Sequence, residues 1–325
     1  MDPPPFFIVG CGRSGTTLIR TALNLHSRIA IPFESLFLVD YLRVAHEIPL
    51  PRLIKGIREE YELQEWGLDT AELKLEALAT LPEVIERLHL AYGGFRKDIW
   101  GQKTPRYIRH LDLIEQFFPG SRYIHVIRDP RAVAASLIRS PAHVSTSRHA
   151  ALRWRVDVMA GLSFERCYPD RLMRIRYEEL VTAFPQTIQK ICRFIGVEVE
   201  AEMLRAHQFR EELYSRQYYR SMHRNLRGGI RMDRIDSWRE ELTPREVATV
   251  EFLCGELMEY LGYPCQRVAR PLPGWYAALD RSRGIMRQAS HYLRYRRGYL
   301  YGAVRRKWLL GLWWKDISHM GALNR

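Results

Sequence analysis

Near its start the chain runs from an apolar stretch, Phe6-Phe7-Ile8-Val9, into Gly10-Cys11-Gly12-Arg13-Ser14-Gly15-Thr16-Thr17, and Thr16 to Leu25 is composed for a helix. Strand, glycine loop, helix is the building unit of an α/β protein with a parallel sheet. It also suits an anion, because glycines let the backbone come close and the N–H groups of a helix start point at the ligand. The spacing from Gly10 to Gly15 matches G-x-x-x-x-G-K-[ST], yet Thr16 stands where the lysine for β- and γ-phosphates belongs. Arg13 and the hydroxyls of Ser14, Thr16 and Thr17 offer a grip on a single phosphate instead. The plainer reading is a strand–helix turn with useful glycines; the anion site is preferred.

The rest of the chain keeps this alternation. Ile29 to Pro32, Ile99 to Lys103, Arg122 to Ile127 and Leu172 to Ile175 are strand-like. Helices are expected over Tyr107–Phe118, Arg131–Ile138, Glu178–Phe184 and Gln186–Ile195, and from the capping pattern Thr243-Pro244-Arg245-Glu246 to about Leu261 before Gly262. Residues 35–95 repeat Leu, Ile and Ala at three- and four-residue steps and form a helical cap. The expectation is one α/β domain over 1–270 with a central parallel sheet of four or five strands flanked by helices. Its boundary falls near Pro271-Leu272-Pro273-Gly274, before a helical extension over 271–325.

Charge and cysteines narrow the partners. The formal charge is +13, but Arg270 to Arg325 carries +10 of it, so the basicity belongs to the tail. There Trp275, Leu279, Met286, Ala289, Leu293, Leu300 and Val304 form one apolar helical stripe among arginines, tyrosines and tryptophans. A basic aromatic amphipathic helix suits an anionic membrane surface, or docking on its own domain or a second subunit; nucleic acid is not expected. The five scattered cysteines have no metal-ligand spacing, so no metal is expected and a reducing compartment is. No signal-like or membrane-spanning run is present, which makes a cytoplasmic enzyme, peripheral at the membrane if the tail binds lipid, the expectation.

A second motif, Arg128-Asp129-Pro130-Arg131, follows the strongest β run, with Ser136 eight residues beyond Arg128. An arginine at a strand end and a serine two turns into the next helix can approach one phosphate from two sides. Gly12 to Thr17 resembles the 5′-phosphosulfate loop of sulfotransferases that use 3′-phosphoadenosine-5′-phosphosulfate (PAPS). Arg128 with Ser136 resembles their 3′-phosphate motif, in the same order. The resemblance covers roughly residues 6–260 and is greatest to the bacterial branch, more distant to tyrosylprotein sulfotransferases.

The resemblance implies a P-loop-like sulfotransferase fold and in-line transfer of a sulfuryl group to an acceptor hydroxyl or amine on a glycan, glycolipid or small molecule, with adenosine 3′,5′-bisphosphate leaving. It implies Glu34 as the base, in Pro32-Phe33-Glu34-Ser35, and Lys103, in Gly101-Gln102-Lys103-Thr104-Pro105, at the leaving phosphate with Arg13 assisting. It sets Tyr177 near the adenine and assigns Arg224 and Arg227, with Arg231 and Arg234 as alternatives, to the loop over the nucleotide. A plainer reading makes Glu34 a helix-start carboxylate, Lys103 a surface residue and Tyr177 an ordinary core tyrosine. His110 is the alternative base; His125, inside a β run, reads as a satisfied core histidine. Two rivals remain: a kinase-like phosphotransferase using ATP, and a non-catalytic membrane or scaffold protein on the same fold.

Overall fold

In β1 (Phe6–Gly10) every residue is buried, with Phe6 and Ile8 on one face and Phe7 and Val9 on the other. A strand covered on both faces reads as an unbroken apolar run, the pattern that marked this segment in the sequence. The computed structural model describes residues 3–140, 145–205, 230–266 and 304–311, with 278, 282 and 286. β1 lies at the centre of a five-stranded sheet with β2 (Ile29–Ala30), β3 (Ile99–Lys103), β4 (Arg122–Ile127) and β5 (Leu172–Arg176). The order is β2-β3-β1-β4-β5 and every pairing is parallel, so the α/β class and the five-strand parallel sheet are as expected.

Three apolar clusters hold the layers. Phe6 and Ile8 pack against α1 (Thr16–Asn24), α9 (Tyr177–Thr182) and α10 (Phe184–Ile195). Phe7 and Val9 face a cap made of α2 (Leu38–Val44), α3 (Leu50–Arg58), α4 (Tyr61–Glu65) and α5 (Leu81–Tyr92), together with α6 (Leu111–Phe117). Ile127 meets α7 (Pro130–Ile138), α8 (Ser147–Cys167), the short α12 (Trp238–Glu241) and α13 (Pro244–Tyr260); α11 is the single turn Ala201–Leu204. Thr243 and Glu246 form the reciprocal capping box that starts α13.

Three local expectations need correction. The helix expected over Tyr107–Phe118 begins as a 3-10 turn, Pro105–His110, before α6, because Pro105 supplies a fixed φ but no backbone donor. The longest helix among the described residues, α8, covers a stretch for which no element was expected. His125 is in the core, wholly buried, but both ring nitrogens lack hydrogen-bond partners; Gly161 of α8 lies against the ring, where any Cβ would overlap it.

The boundary near Pro271 and most of the extension lie outside the described residues. Residues 304–309 are helical. Arg306 and Leu310 are buried there, while Val304, Met286 and Trp308 are exposed. In the described part, then, an arginine and a leucine face the domain, and the two described members of the sequence's apolar stripe do not.

Candidate active site

The C-terminal ends of β1, β3 and β4 share one edge of the sheet, and the candidate residues gather there. β1 ends at Gly10, whose φ of 140° and contact with the Val126 carbonyl exclude a side chain. Arg13 takes a φ of 75°, unusual for a residue with a Cβ, and Gly15 a φ of 92° at the start of α1. The loop thus turns sharply onto a helix whose first N–H groups have no intrahelical acceptors. Ser14 is fully buried and its Oγ has no hydrogen-bond partner. A buried hydroxyl in that state, at a helix start, fits an anionic group. Thr16 is buried in the first turn; Thr17 is half-buried beside Lys103.

Around that loop the second motif closes. Arg13 Nε donates to Ser136 Oγ at 3.0 Å. Arg128 Nη1 donates to the Arg13 carbonyl at 2.9 Å and its Nη2 to the Arg234 carbonyl at 2.5 Å. Burial pulls the Arg128 guanidinium below its usual range; it lies 4.1 Å over the Tyr177 ring, and its Nε has no partner. Tyr177 also packs on Gly15 and its hydroxyl reaches the Arg231 carbonyl at 3.4 Å. Arg13, Arg128, Ser136 and Tyr177 therefore form one cluster, with Arg13 rather than Arg128 touching the serine. Arg231 and Arg234 pair with Asp233 and Glu241; Arg224 and Arg227 lie outside the described residues.

Lys103 ends β3, with 3% of its side chain exposed, and its Nζ donates to Glu34 Oε1 at 2.5 Å and reaches Thr17 Oγ1 at 3.5 Å. Burial lowers its pKa, opposed by Glu34. The carboxylate, the ammonium and the loop hydroxyl thus meet at one point.

Several residues that hold Glu34 had no role assigned from the sequence. Arg20 of α1 donates through Nε to the Pro32 carbonyl at 2.9 Å and lies 4.6 Å over the Phe33 ring. Gln102 Nε2 donates to the Phe33 carbonyl at 3.3 Å. The Ser35 N–H donates to Thr104 Oγ1 at 3.1 Å, and the Ser35 and Tyr107 hydroxyls share a 3.0 Å bond. On the other side of the loop, the Arg153 guanidinium packs on Gly12 and pairs with buried Asp157, to which Arg109 Nε donates at 2.5 Å. Only the in-register Gln102-Lys103-Thr104 run hinted at any of these, since alternate side chains of a strand end address both sides of its turn. His110 is half-buried. Among the described residues no group of His, Cys, Asp and Glu could hold a metal ion.

A five-stranded parallel sheet with a glycine loop after its central strand, crossed by an arginine from the adjacent strand end, is an α/β fold whose candidate ligand crevice lies at the C-terminal ends of the strands. Residues 4–201 match the Sulfotransferase family, and the chain belongs to that family. It is 27% identical over 206 residues to the protein-tyrosine sulfotransferase of Drosophila melanogaster, covering 60% of this chain and 38% of that one. It is 28% identical over 293 residues to the nodulation protein NoeE of Sinorhizobium fredii, covering 79% of this chain and 65% of that one. The chain thus spans well under half of the Drosophila relative and about two thirds of NoeE. In fold it resembles the sulfotransferase domain from the curacin biosynthetic pathway, with a TM-score of 0.59, 22% identity, and coverage of 82% of this chain and 99% of that domain. The sulfotransferase domain from the Synechococcus PCC 7002 olefin synthase gives 0.58 and 23%, over 82% and 97%.

Proposed function

We propose that the chain transfers a sulfuryl group from PAPS to the hydroxyl or amine of an acceptor. The observation that carries this is the meeting of Lys103 Nζ with Glu34 and with Thr17 of the glycine loop. In the reaction the acceptor oxygen bonds to sulfur, its proton goes to Glu34, and the bond from sulfur to the bridging oxygen breaks. Charge grows on that oxygen, and the buried ammonium of Lys103, with Arg13, offsets it. The loop N–H groups, Ser14 Oγ, Thr16 and Thr17 hold the 5′ end; Arg128 and Ser136 hold the 3′-phosphate; Tyr177 packs beside the nucleoside. A phosphate at each end of adenosine needs two such sites, which ATP does not, and Thr16 in place of the usual lysine disfavours a triphosphate. The charge balance comes from arginine, lysine and backbone dipoles, so the proposal assigns no step to a metal.

Calorimetry with adenosine 3′,5′-bisphosphate, 5′-AMP and ATP tests the donor. The bisphosphate should bind far more tightly than 5′-AMP, and Arg128→Ala should weaken it by roughly ten- to hundred-fold, the loss of a charge-assisted contact of about 1.5–3 kcal/mol. Equal affinity for bisphosphate and 5′-AMP overturns the PAPS assignment; preference for ATP favours the phosphotransferase. The acceptor is then sought by mass spectrometry after incubation with PAPS, with phenols, oligosaccharides and a tyrosyl peptide as probes. The peptide is included because of the relatives' names.

A further inference from the structure

Arg306 lies far along the chain from the glycine loop, yet its guanidinium is enclosed by the cap. It is 4% exposed. Its Nε donates to Asp40 Oδ2 at 2.8 Å, its Nη1 to Glu60 Oε2 at 2.6 Å, and Glu62 Oε1 is 3.7 Å from Nη1. Asp40 is on α2, Glu62 on α4, and Glu60 is the residue before α4. Glu60 and Glu62 are buried, and Glu60 also accepts from the Tyr41 hydroxyl at 2.8 Å. Burial lifts Glu60 to about 8 and raises Glu62, each opposed first by the charge of Arg306. Beside it, Arg305 pairs with Glu59, and Leu310 is buried in the cluster that contains Phe37, Leu38 and Tyr41.

This clamp lies a short distance from the candidate base. α2 begins at Leu38, directly after Glu34-Ser35-Leu36-Phe37. The Ser35 hydroxyl bonds to Tyr107, and the Tyr107 hydroxyl feels the charges of Asp40, Glu62 and Arg306. Arg306 thus holds Asp40 on α2, the helix that starts four residues after Glu34, while Ser35 in the same turn is bonded to Tyr107. A fork that bonds Asp40 of α2 and Glu60 at the start of α4 at once fixes their separation, which a point charge does not.

We propose that Arg306 is a positioning residue for Glu34: it clamps α2 to the start of α4 and so fixes the turn that carries the carboxylate. The active site is then completed by the C-terminal segment. This rests on the reading of Glu34 as the base. Arg306 acts through its cap partners Asp40 and Glu60.

The test uses the full chain with Arg306→Lys and Arg306→Ala. Three quantities are measured: the affinity for adenosine 3′,5′-bisphosphate, turnover with PAPS and a hydroxyl acceptor, and amide hydrogen exchange over residues 33–44 and 10–17. The expected result is unchanged bisphosphate affinity, kcat lower by about ten- to hundred-fold, and faster exchange confined to 33–44. Added guanidinium ion should restore part of the turnover and protection in Arg306→Ala. If Arg306→Ala does not fold, Arg306→Lys decides, because it keeps the charge and loses the fork. Normal exchange over 33–44, or faster exchange over 10–17 with bisphosphate binding lost in parallel, overturns the proposal. A Glu34→Gln protein with normal turnover removes the base assignment instead, and the exchange result still decides the clamp.

Discussion

Glu34 is held by its neighbours' backbone as much as by its own side chain: Arg20 ties down Pro32, Gln102 ties down Phe33, and Thr104 receives the Ser35 N–H. Glu34→Gln keeps that shape and removes the proton acceptor. Turnover should fall by about 10²–10⁴ with bisphosphate affinity nearly unchanged; kinetics beside calorimetry check it, and near-normal turnover would transfer attention to His110. The sequence singled out Glu34, Lys103 and Arg128 because each sits in a short motif at or shortly after a strand. Arg20 and Asp157 were not visible, since their partners are brought in by the fold from separate segments. His125 differs again, for its β context betrayed burial but not the lack of a partner. Burial pushes it down to about 3 from an ordinary value near 6.5, so the folded chain holds it neutral. Its folded pKa lies below its unfolded one, so stability is full above about pH 6.5 and falls as pH drops toward 3, by up to about 1.4 kcal/mol per pH unit. In melts from pH 7 to 4, His125→Leu should flatten this acid limb; an unchanged slope would show that other groups cause it.

At the scale of elements, β1, β3, β4 and β5, with α1, α9, α10 and α13, lay close to where runs and caps put them. Their signals were local: continuous apolar strands, Gly-ended helices and the Thr243–Glu246 box. α8 was missed although Ala150, Ala151, Trp154, Val158, Gly161 and Phe164 bury one face at helical steps. Its arginines, spread round the other faces, obscured the stripe, and although the Thr146 hydroxyl caps it by accepting the His149 N–H, no Glu or Gln follows to complete a capping box. The junction of α7 and α13 was equally hidden. There Arg131 bonds Asp129 at 2.7 Å and Glu251 at 2.7 Å and lies 4.0 Å over the Trp238 ring, all largely buried. Removing the arginine leaves two buried carboxylates without their countercharge, so Arg131→Met should cost about 3–5 kcal/mol. Urea unfolding measures it. A loss under about 1 kcal/mol would mean that water or a rearranged side chain satisfies Asp129 and Glu251, and that the clasp is not what joins the two helices.

For the whole molecule the question is what the C-terminal segment does to the domain it follows. No described helix is long and apolar enough to cross a membrane, and the described part of the extension meets the cap through Arg306 and Leu310. Composition could not reveal this: twelve Lys and Arg in the last 56 residues read as one basic surface, and nothing local distinguishes the arginine that enters an acidic cage from those outside it. Truncation after Pro271 removes none of the proposed catalytic residues, so a tail that serves only a membrane would leave the domain's stability as it was. A docked tail gives another result. Asp40, Glu60 and Glu62 lose a shared countercharge, and the apolar surface beneath Leu310 is opened to water. The shortened chain should aggregate on heating and melt well below the full chain at alkaline pH, above about 8, while protonation of Glu60 and Glu62 as pH falls through their raised values narrows its deficit. Both carboxyls have raised folded-state values, so the penalty of leaving them charged is greatest above those values and shrinks as pH falls through them. Scanning calorimetry of the two chains at several pH values measures this. A truncated protein that melts with the full-length one at every pH, while only the full chain sediments with anionic vesicles and is released by salt, would make the tail a membrane element and not part of the fold.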